Sequence, residues 1–196
     1  MNFAEIKQKL STYTIGIAGC GGLGSNCAMA LARVGIGSFV IADFDDIDES
    51  NLNRQYFFRN QIGINKAIAL KININCVEPK CKVEAHNVII NADNVPRLFY
   101  HCDIIVEAFD KAEMKVMLIE TVLNSFPEKY IISASGIAGW GDSDKIHIQN
   151  YEKLIICGDF ETEVNENLPP LAPRVGIVAN MQANIVLELL LGRVYY

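Results

Sequence analysis

"TIGIAGCGGLGSNCA", residues 14–28, sets an apolar run directly before a glycine cluster and a helix-spaced pattern directly after it. The run "TIGIAG" (14–19) has the length and composition of a buried strand. "GLGSNCAMALARVGI" (22–36) carries apolar residues at helical spacing and stops at Gly35 and Gly37. Between them, "GCGGLG" (19–24) fits G-x-G-x-x-G in the strand-to-helix setting that gives this short motif its meaning. Gly19 permits the tight turn, Gly21 and Gly22 clear side chains from an approaching phosphate, and Gly24 lets the helix pack close to the strand. A helix N-terminus presented in this way offers unpaired N–H groups and partial positive charge to an anion.

A second strand, "SFVIADFD" (38–45), follows and delivers Asp43, placed to accept hydrogen bonds from a ribose. To this point the pattern does not separate a dinucleotide from ATP, and the fingerprint alone slightly favours NAD. The stretch "DFDDIDESNLNRQ" (43–55) then changes sign, from five acids to Asn51, Arg54 and Gln55. Asp46, Asp48 and Glu49 read as a solvated turn between the two halves. Cleaving ATP between its α- and β-phosphates throws charge onto pyrophosphate, and fixed cations or a metal must meet it. Arg54, and Lys66 on the next helix, leave the carboxyl end of the second strand, where open α/β sheets bind ligands. Asp110 closes the strand "DIIVEAF" (103–109) on the same edge, as a candidate for Mg²⁺ or, in the ordinary alternative, a helix N-cap.

The rest of the chain alternates in the same manner. "GINKAIALKININCV" (63–77) predicts a helix with Ile64, Ile68, Ile72 and Cys76 on one stripe. "KVEAHNV" (82–88) predicts a strand, a helix is expected over about 111–124, and "KYIISAS" (129–135) is a further strand. Strand–helix–strand repetition predicts an α/β fold, a mostly parallel sheet with helices on both faces. "KIHIQN" (145–150) and "KLIICG" (153–158) predict an antiparallel addition near the C-terminal end, and "GDFETEVNENLPPLAP" (158–173) a long polar loop. "RVGIVANMQANIVLELLLG" (174–192) predicts a strongly apolar closing helix, buried against the sheet, a partner subunit or both.

The 196 residues suffice for one domain, 1–196, and no linker or repeat divides them. A net charge of -6 argues against broad electrostatic binding to nucleic acid. No signal peptide is visible, and no apolar run approaches a membrane span in length, so no membrane association is expected. The six cysteines form no C-x-x-C pair, so no zinc is expected, and scattered free thiols fit a reducing cytoplasm.

The succession "GCGGLG", "DFDDIDESNLNRQ", "GINKA", "EAFDK" and "PPLAPRVGIVANMQANIVLELLLG" resembles the ThiF/MoeB/HesA family, the bacterial relatives of ubiquitin-activating enzymes. The short length and "CGDFE" (157–161) look most like the compact ThiF branch often labelled family 2. The resemblance implies a Rossmann-like sheet and ATP-dependent adenylation of the C-terminal glycine of a ThiS-like, ubiquitin-fold sulfur carrier ending in Gly-Gly, in thiamine or related sulfur metabolism. Carried over by motif, Gly19, Gly21, Gly22 and Gly24 form the phosphate loop and Asp43 binds the ribose. Ser50, Asn51 and Arg54 contact the triphosphate with support from Gln55, Lys66 contacts phosphate, Asp110 binds Mg²⁺, and Lys111 beside it belongs to the nucleotide-binding set. Arg54, Lys66 and Asp110 are the expected catalytic set, and a homodimer is expected.

The chain departs from that pattern in places. No arginine precedes Gly19, although many relatives supply one from an N-terminal segment to the partner's ATP. The loop from Asp159 to Pro173 lacks the cysteine some relatives use, and Cys157 is the nearest substitute, or else a buried strand residue. "GIAGWGDSD" (136–144) offers a glycine-rich segment in which Trp140 either walls a channel for a Gly-Gly tail or simply packs in a turn. Three other readings stay open: adenylation of a carboxylate on tRNA, a catalytically weak ATP-binding scaffold, and an NAD-dependent oxidoreductase. The last leaves Arg54 and Lys66 without a task.

Overall fold

The computed structural model describes residues 1–192. A short helix, α1 (Phe3–Leu10), leads into β1 (Thr14–Ala18), α2 (Gly22–Val34) and β2 (Ser38–Ala42). Two 3₁₀ turns, Glu49–Asn53 and Arg59–Gln61, precede α3 (Lys66–Val77), β3 (Lys82–His86) and the one-turn α4 (Val95–Leu98). Then come β4 (Ile104–Glu107), α5 (Ala112–Ser125), β5 (Tyr130–Ala134), β6 (His147–Tyr151), β7 (Leu154–Gly158) and α6 (Ala172–Leu191).

The strands form one sheet in the order β3-β2-β1-β4-β5-β7-β6. The chain starts in the middle, winds outward through β2 and β3, then crosses back to β4, so the order reverses between β1 and β4. Crevices at such a reversal, outside the carboxyl ends of the strands, are where these sheets take ligands. The expected antiparallel pair near the C-terminal end is present. β6 runs antiparallel to β7, but β7 runs parallel to β5 and extends the parallel sheet. The return from β5 that makes this possible passes through residues 135–146, a long excursion rather than a tight turn.

Alternating strand residues divide the core between the two faces. Ile15, Ile17, Phe39 and Ile41 pack with α2, α3 and α6, while Ala18, Val40, Ile105 and Ile131 pack with α4 and α5. Two expectations about helices need correction. On α3 the buried face is Ala67, Leu70, Asn73 and Ile74, whereas Ile68, Ile72 and Cys76 are exposed. The helix is apolar on nearly every side, so spacing did not select its inner face. That choice is made at its N-terminus, where Asn65 caps the helix and Lys66 turns inward to Asp45. α6 begins two residues earlier than expected, at Ala172, with Pro173 in its first turn. Its 20 residues are also long and apolar enough to cross a membrane, which no run was expected to be. In this fold Val175, Val178, Ala179 and Val186 are buried, and the helix lies against α2.

Candidate functional site

The glycine loop lies at the end of β1, at the reversal in strand order. Gly19 adopts φ +92°, and a Cβ there would come within 2.9 Å of the Ala108 carbonyl oxygen. Gly24 is more constrained, since a Cβ would stand 1.9 Å from the Gly19 oxygen, so helix and loop touch as the motif requires. At Gly22 a Cβ would meet Val175 of α6 at 2.9 Å and the Arg54 side chain at 3.5 Å. Gly22 therefore has a packing reason to be glycine beside the one expected. No side chain caps α2 at Gly21, which leaves its first-turn N–H groups facing the crevice.

Asp43 closes the loop from the next strand. Its Oδ2 accepts from the Cys20 N–H at 2.6 Å and its Oδ1 from the Asp45 N–H at 2.8 Å. Burial raises its pKa above the ordinary carboxylate value, only partly offset by those two N–H groups and by Lys66. Lys66 is itself buried, not solvated as a helix lysine usually is, and its Nζ donates to Asp45 at 2.8 Å. Asn65 holds the same turn by donating to the Asp43 and Asp45 carbonyls at 3.3 and 3.0 Å.

The segment 48–55 is built by its own side chains. Asp48 caps the first 3₁₀ turn by accepting from the Ser50 N–H, and Asn51 returns the bond to the Asp48 N–H at 3.1 Å. Asn51 thus has a structural task, while Ser50 is exposed. Glu49 pairs with Arg59 at 2.7 Å, and Asp46, Asp48 and Glu49 are all exposed, as a solvated turn should be. The Arg54 guanidinium reaches the Ser50 carbonyl at 3.2 Å and the Asn53 side chain at 2.7 Å. Partial burial lowers its pKa and nearby Asp110 opposes that shift, which places cation and acid on one rim. Gln55 is buried beside Gly21, with its Oε1 lacking any hydrogen-bond partner among the described residues.

The structure therefore gathers the glycine loop, Asp43, Arg54, Gln55, Lys66 and Asp110 at one edge of the sheet. It does not make Asp110 the N-cap of α5. Lys111 occupies that position without a capping side chain, and both residues are exposed. No hydrogen bond or ion pair among the described residues joins Lys111 to the others. Two residues escaped the reading of the sequence. Ser25 accepts from the Tyr56 N–H at 2.9 Å, and Asn26 spans from the Gly22 carbonyl at 2.7 Å to the Arg54 carbonyl at 2.9 Å. They bind the arginine segment to the glycine-loop helix. The only signal was two polar residues, "SN", on an otherwise apolar helix immediately after the motif.

Farther along the edge, the segment 136–144 and the loop from Asp159 are clamped together. Arg174, buried at the start of α6, donates to Asp159 and to the Gly141 carbonyl. Gly139 pairs with Pro169 through its N–H at 3.0 Å. Trp140 is not packed in the turn but 69% exposed. Cys157 has the buried alternative: it is fully buried, and burial pushes its thiol up to about 12. A thiol so protonated is a poor nucleophile.

Residues 3–195 match the ThiF family. The chain is 31% identical to a probable molybdopterin-synthase adenylyltransferase of Porphyra purpurea, over 96% of this chain and 50% of the relative. It is 28% identical to ubiquitin-like modifier-activating enzyme 5 of Branchiostoma floridae, over 69% of this chain and 33% of that protein. The chain thus spans half the length or less of these two curated relatives. Among solved structures, E. coli tRNA N6-threonylcarbamoyladenosine dehydratase in complex with ATP superposes with a TM-score of 0.85. That likeness covers 95% of this chain and 88% of the other at 21% identity, and it speaks for the fold alone.

Proposed function

The chain belongs to the ThiF family, and on that premise we propose that it adenylates a carboxylate with ATP, the C-terminal glycine of a ubiquitin-fold sulfur carrier ending in Gly-Gly. One observation carries the reading: the Arg54 side chain lies against Gly22, and Lys66, paired with Asp45 just past Asp43, flanks the same glycine loop, which already offers a helix N-terminus. A hydride-transfer site has no need of that second and third positive group. The buried, unpartnered Gln55 Oε1 beside the loop suits a polar ligand.

The chemistry asks little of the side chains. A terminal carboxylate has a reference pKa of about 3.3–3.7 and is ionised at neutral pH, so no general base is required. Its oxygen bonds to the α-phosphorus as the bond to the bridging oxygen breaks, and pyrophosphate leaves with the electron pair. Asp43 would orient the ribose, and Arg54 and Lys66 would stabilise charge on the departing oxygens. Asp110 is the residue that would hold Mg²⁺, whose charge would further offset that of pyrophosphate. Ser50, Asn51 and Lys111 stand near enough in sequence to assist, with Ser50 offering a free face. Trp140 and the glycine-rich segment beside β5 are the proposed wall for an extended Gly-Gly tail. A second copy would pack along the groove between α2 and α6, where Ala30, Val34, Ile177 and Met181 are lined up with Ile148. Sedimentation at micromolar concentration, showing twice the chain mass, checks that dimer.

Exchange of labelled pyrophosphate into ATP, dependent on an added Gly-Gly carrier, tests the activity. Exchange that needs the carrier supports it, and its absence with a panel of ThiS-like carriers and folded protein rejects it. A second reading, activation of a carboxylate on tRNA, is supported by 30% identity to the tRNA threonylcarbamoyladenosine dehydratase of Bacillus subtilis, over 74% of this chain and 58% of that protein. RNA-stimulated ATP turnover without any carrier would favour that reading instead.

A further inference from the structure

Glu107 ends β4 and is fully buried. Its carboxylate accepts from the Phe109 N–H at 2.7 Å, from Lys115 Nζ at 2.9 and 3.1 Å, and from the Ser133 hydroxyl at 2.5 Å. Its backbone carbonyl accepts from Gln182 Nε2 on α6 at 3.0 Å. A charge buried this deeply is tolerated only when paired and fully hydrogen-bonded, as it is here.

Two of these partners bracket Asp110. Phe109 stands immediately before it, and Lys115 lies in the first turns of α5 after it. This strand-to-helix turn lacks the local fixing that such turns usually have, because no side chain caps α5. Asp110 makes no hydrogen bond of its own among the described residues and is exposed, so its place depends on what holds the turn. The buried carboxylate beneath does that from both sides.

We propose that Glu107 is a positioning residue: by holding the Phe109 N–H and Lys115 it fixes the turn that presents Asp110 to the metal–nucleotide complex. The inference rests on the reading of Asp110 given above. Groups that orient a metal ligand from behind are typically worth about 10–100-fold in metal affinity. What matters for this role is an acceptor at the right reach, not a charge, and the two can be separated.

The readout is the ratio of ATP dissociation constants without and with Mg²⁺, by calorimetry, alongside thermal unfolding. In Glu107→Gln, the amide oxygen still reaches the Phe109 N–H and the amide nitrogen can donate to Ser133. The Mg²⁺ ratio should stay within about twofold of the unmodified protein, while unfolding comes at lower temperature because Lys115 loses its counter-charge. Glu107→Asp keeps the charge but withdraws the acceptor by one methylene. Its ratio should fall by about tenfold, toward that of Asp110→Asn. A merely structural ion pair predicts the reverse order. The proposal is overturned if Glu107→Asp keeps the full ratio, or if folded Glu107→Gln loses it. Should Glu107→Asp not fold, the Glu107→Gln result decides alone. An unmodified protein that binds no ATP, or whose affinity ignores Mg²⁺, overturns the nucleotide reading itself, and this inference with it.

Discussion

Two aspartates on the same edge of the sheet are treated in opposite ways. Asp43, at the glycine loop, is half-buried with only two N–H groups for its carboxylate, and desolvation raises its pKa. Asp159, at the clamp, is buried more deeply, but the Thr162 and Glu161 N–H groups, the Thr162 hydroxyl and Arg174 outweigh that burial and hold it down at about 2. One carboxylate is left short of partners at a place proposed to take a ligand. The other is satisfied within the protein and serves the fold. The difference separates a half of the molecule built for chemistry from a half built to hold two loops in place.

The largest effect should come from breaking the chemical half. Arg54→Ala removes a guanidinium whose contacts are to one carbonyl and one neighbouring side chain, so the fold should lose less than about 1 kcal/mol. Carrier-dependent pyrophosphate exchange should nevertheless drop by about a hundredfold or more, because the lost contact belongs to the transition state. An equal loss of stability and exchange would erase the contrast. In the other half the order inverts. Arg174→Met leaves Asp159 buried and uncompensated and should cost about 3–5 kcal/mol in denaturant unfolding. Any loss of exchange there should track unfolding or carrier binding, not nucleotide affinity.

The acid limb of stability sharpens the contrast further. Asp159 has a folded pKa below its unfolded value, so its stabilisation is complete above about pH 4 and lost as pH falls toward about 2. It amounts to on the order of 2 kcal/mol, and Asp159→Asn should flatten that part of the limb. For Asp43 the sign is opposite. Its folded state binds the proton more readily than the unfolded chain, so it detracts from stability at neutral pH and less so as pH falls. Asp43→Asn should therefore cost less stability than Asp159→Asn in urea titrations at pH 7. The smallest effect is expected from Cys157→Ala, which removes a core thiol whose hydrogen bonds, to the Ser133 and Val178 carbonyls, are weak and long. Exchange should be unchanged, with stability lower by about 1 kcal/mol.

The same division explains what could be read in advance. The glycine loop, Asp43 and the "SNLNRQ" turn are encoded within short stretches, where each residue's neighbours state its role. The structure places them together as expected, and gives Asn51 an extra task in its own turn. The second half depends on single partners distant in sequence. Nothing near Arg174 announces that it will clamp Gly141, and nothing in "KLIICG" says that it runs parallel to β5. α3 failed for a third reason: an apolar pattern on all sides has no inner face until Lys66 and Asn65 fix its rotation. Glu107 was legible only as part of a strand, because its meaning lies in the turn it holds.

The central claim is that this edge joins AMP to a carboxylate, and the most direct test is the mass of the product. A carrier ending in Gly-Gly, incubated with the protein, ATP and Mg²⁺ and quenched in acid, should gain the mass of one adenylyl group. The gain should disappear when the terminal glycine is removed and when Arg54 is replaced by Ala. A carrier of unchanged mass, beside protein shown to bind ATP, would contradict the account.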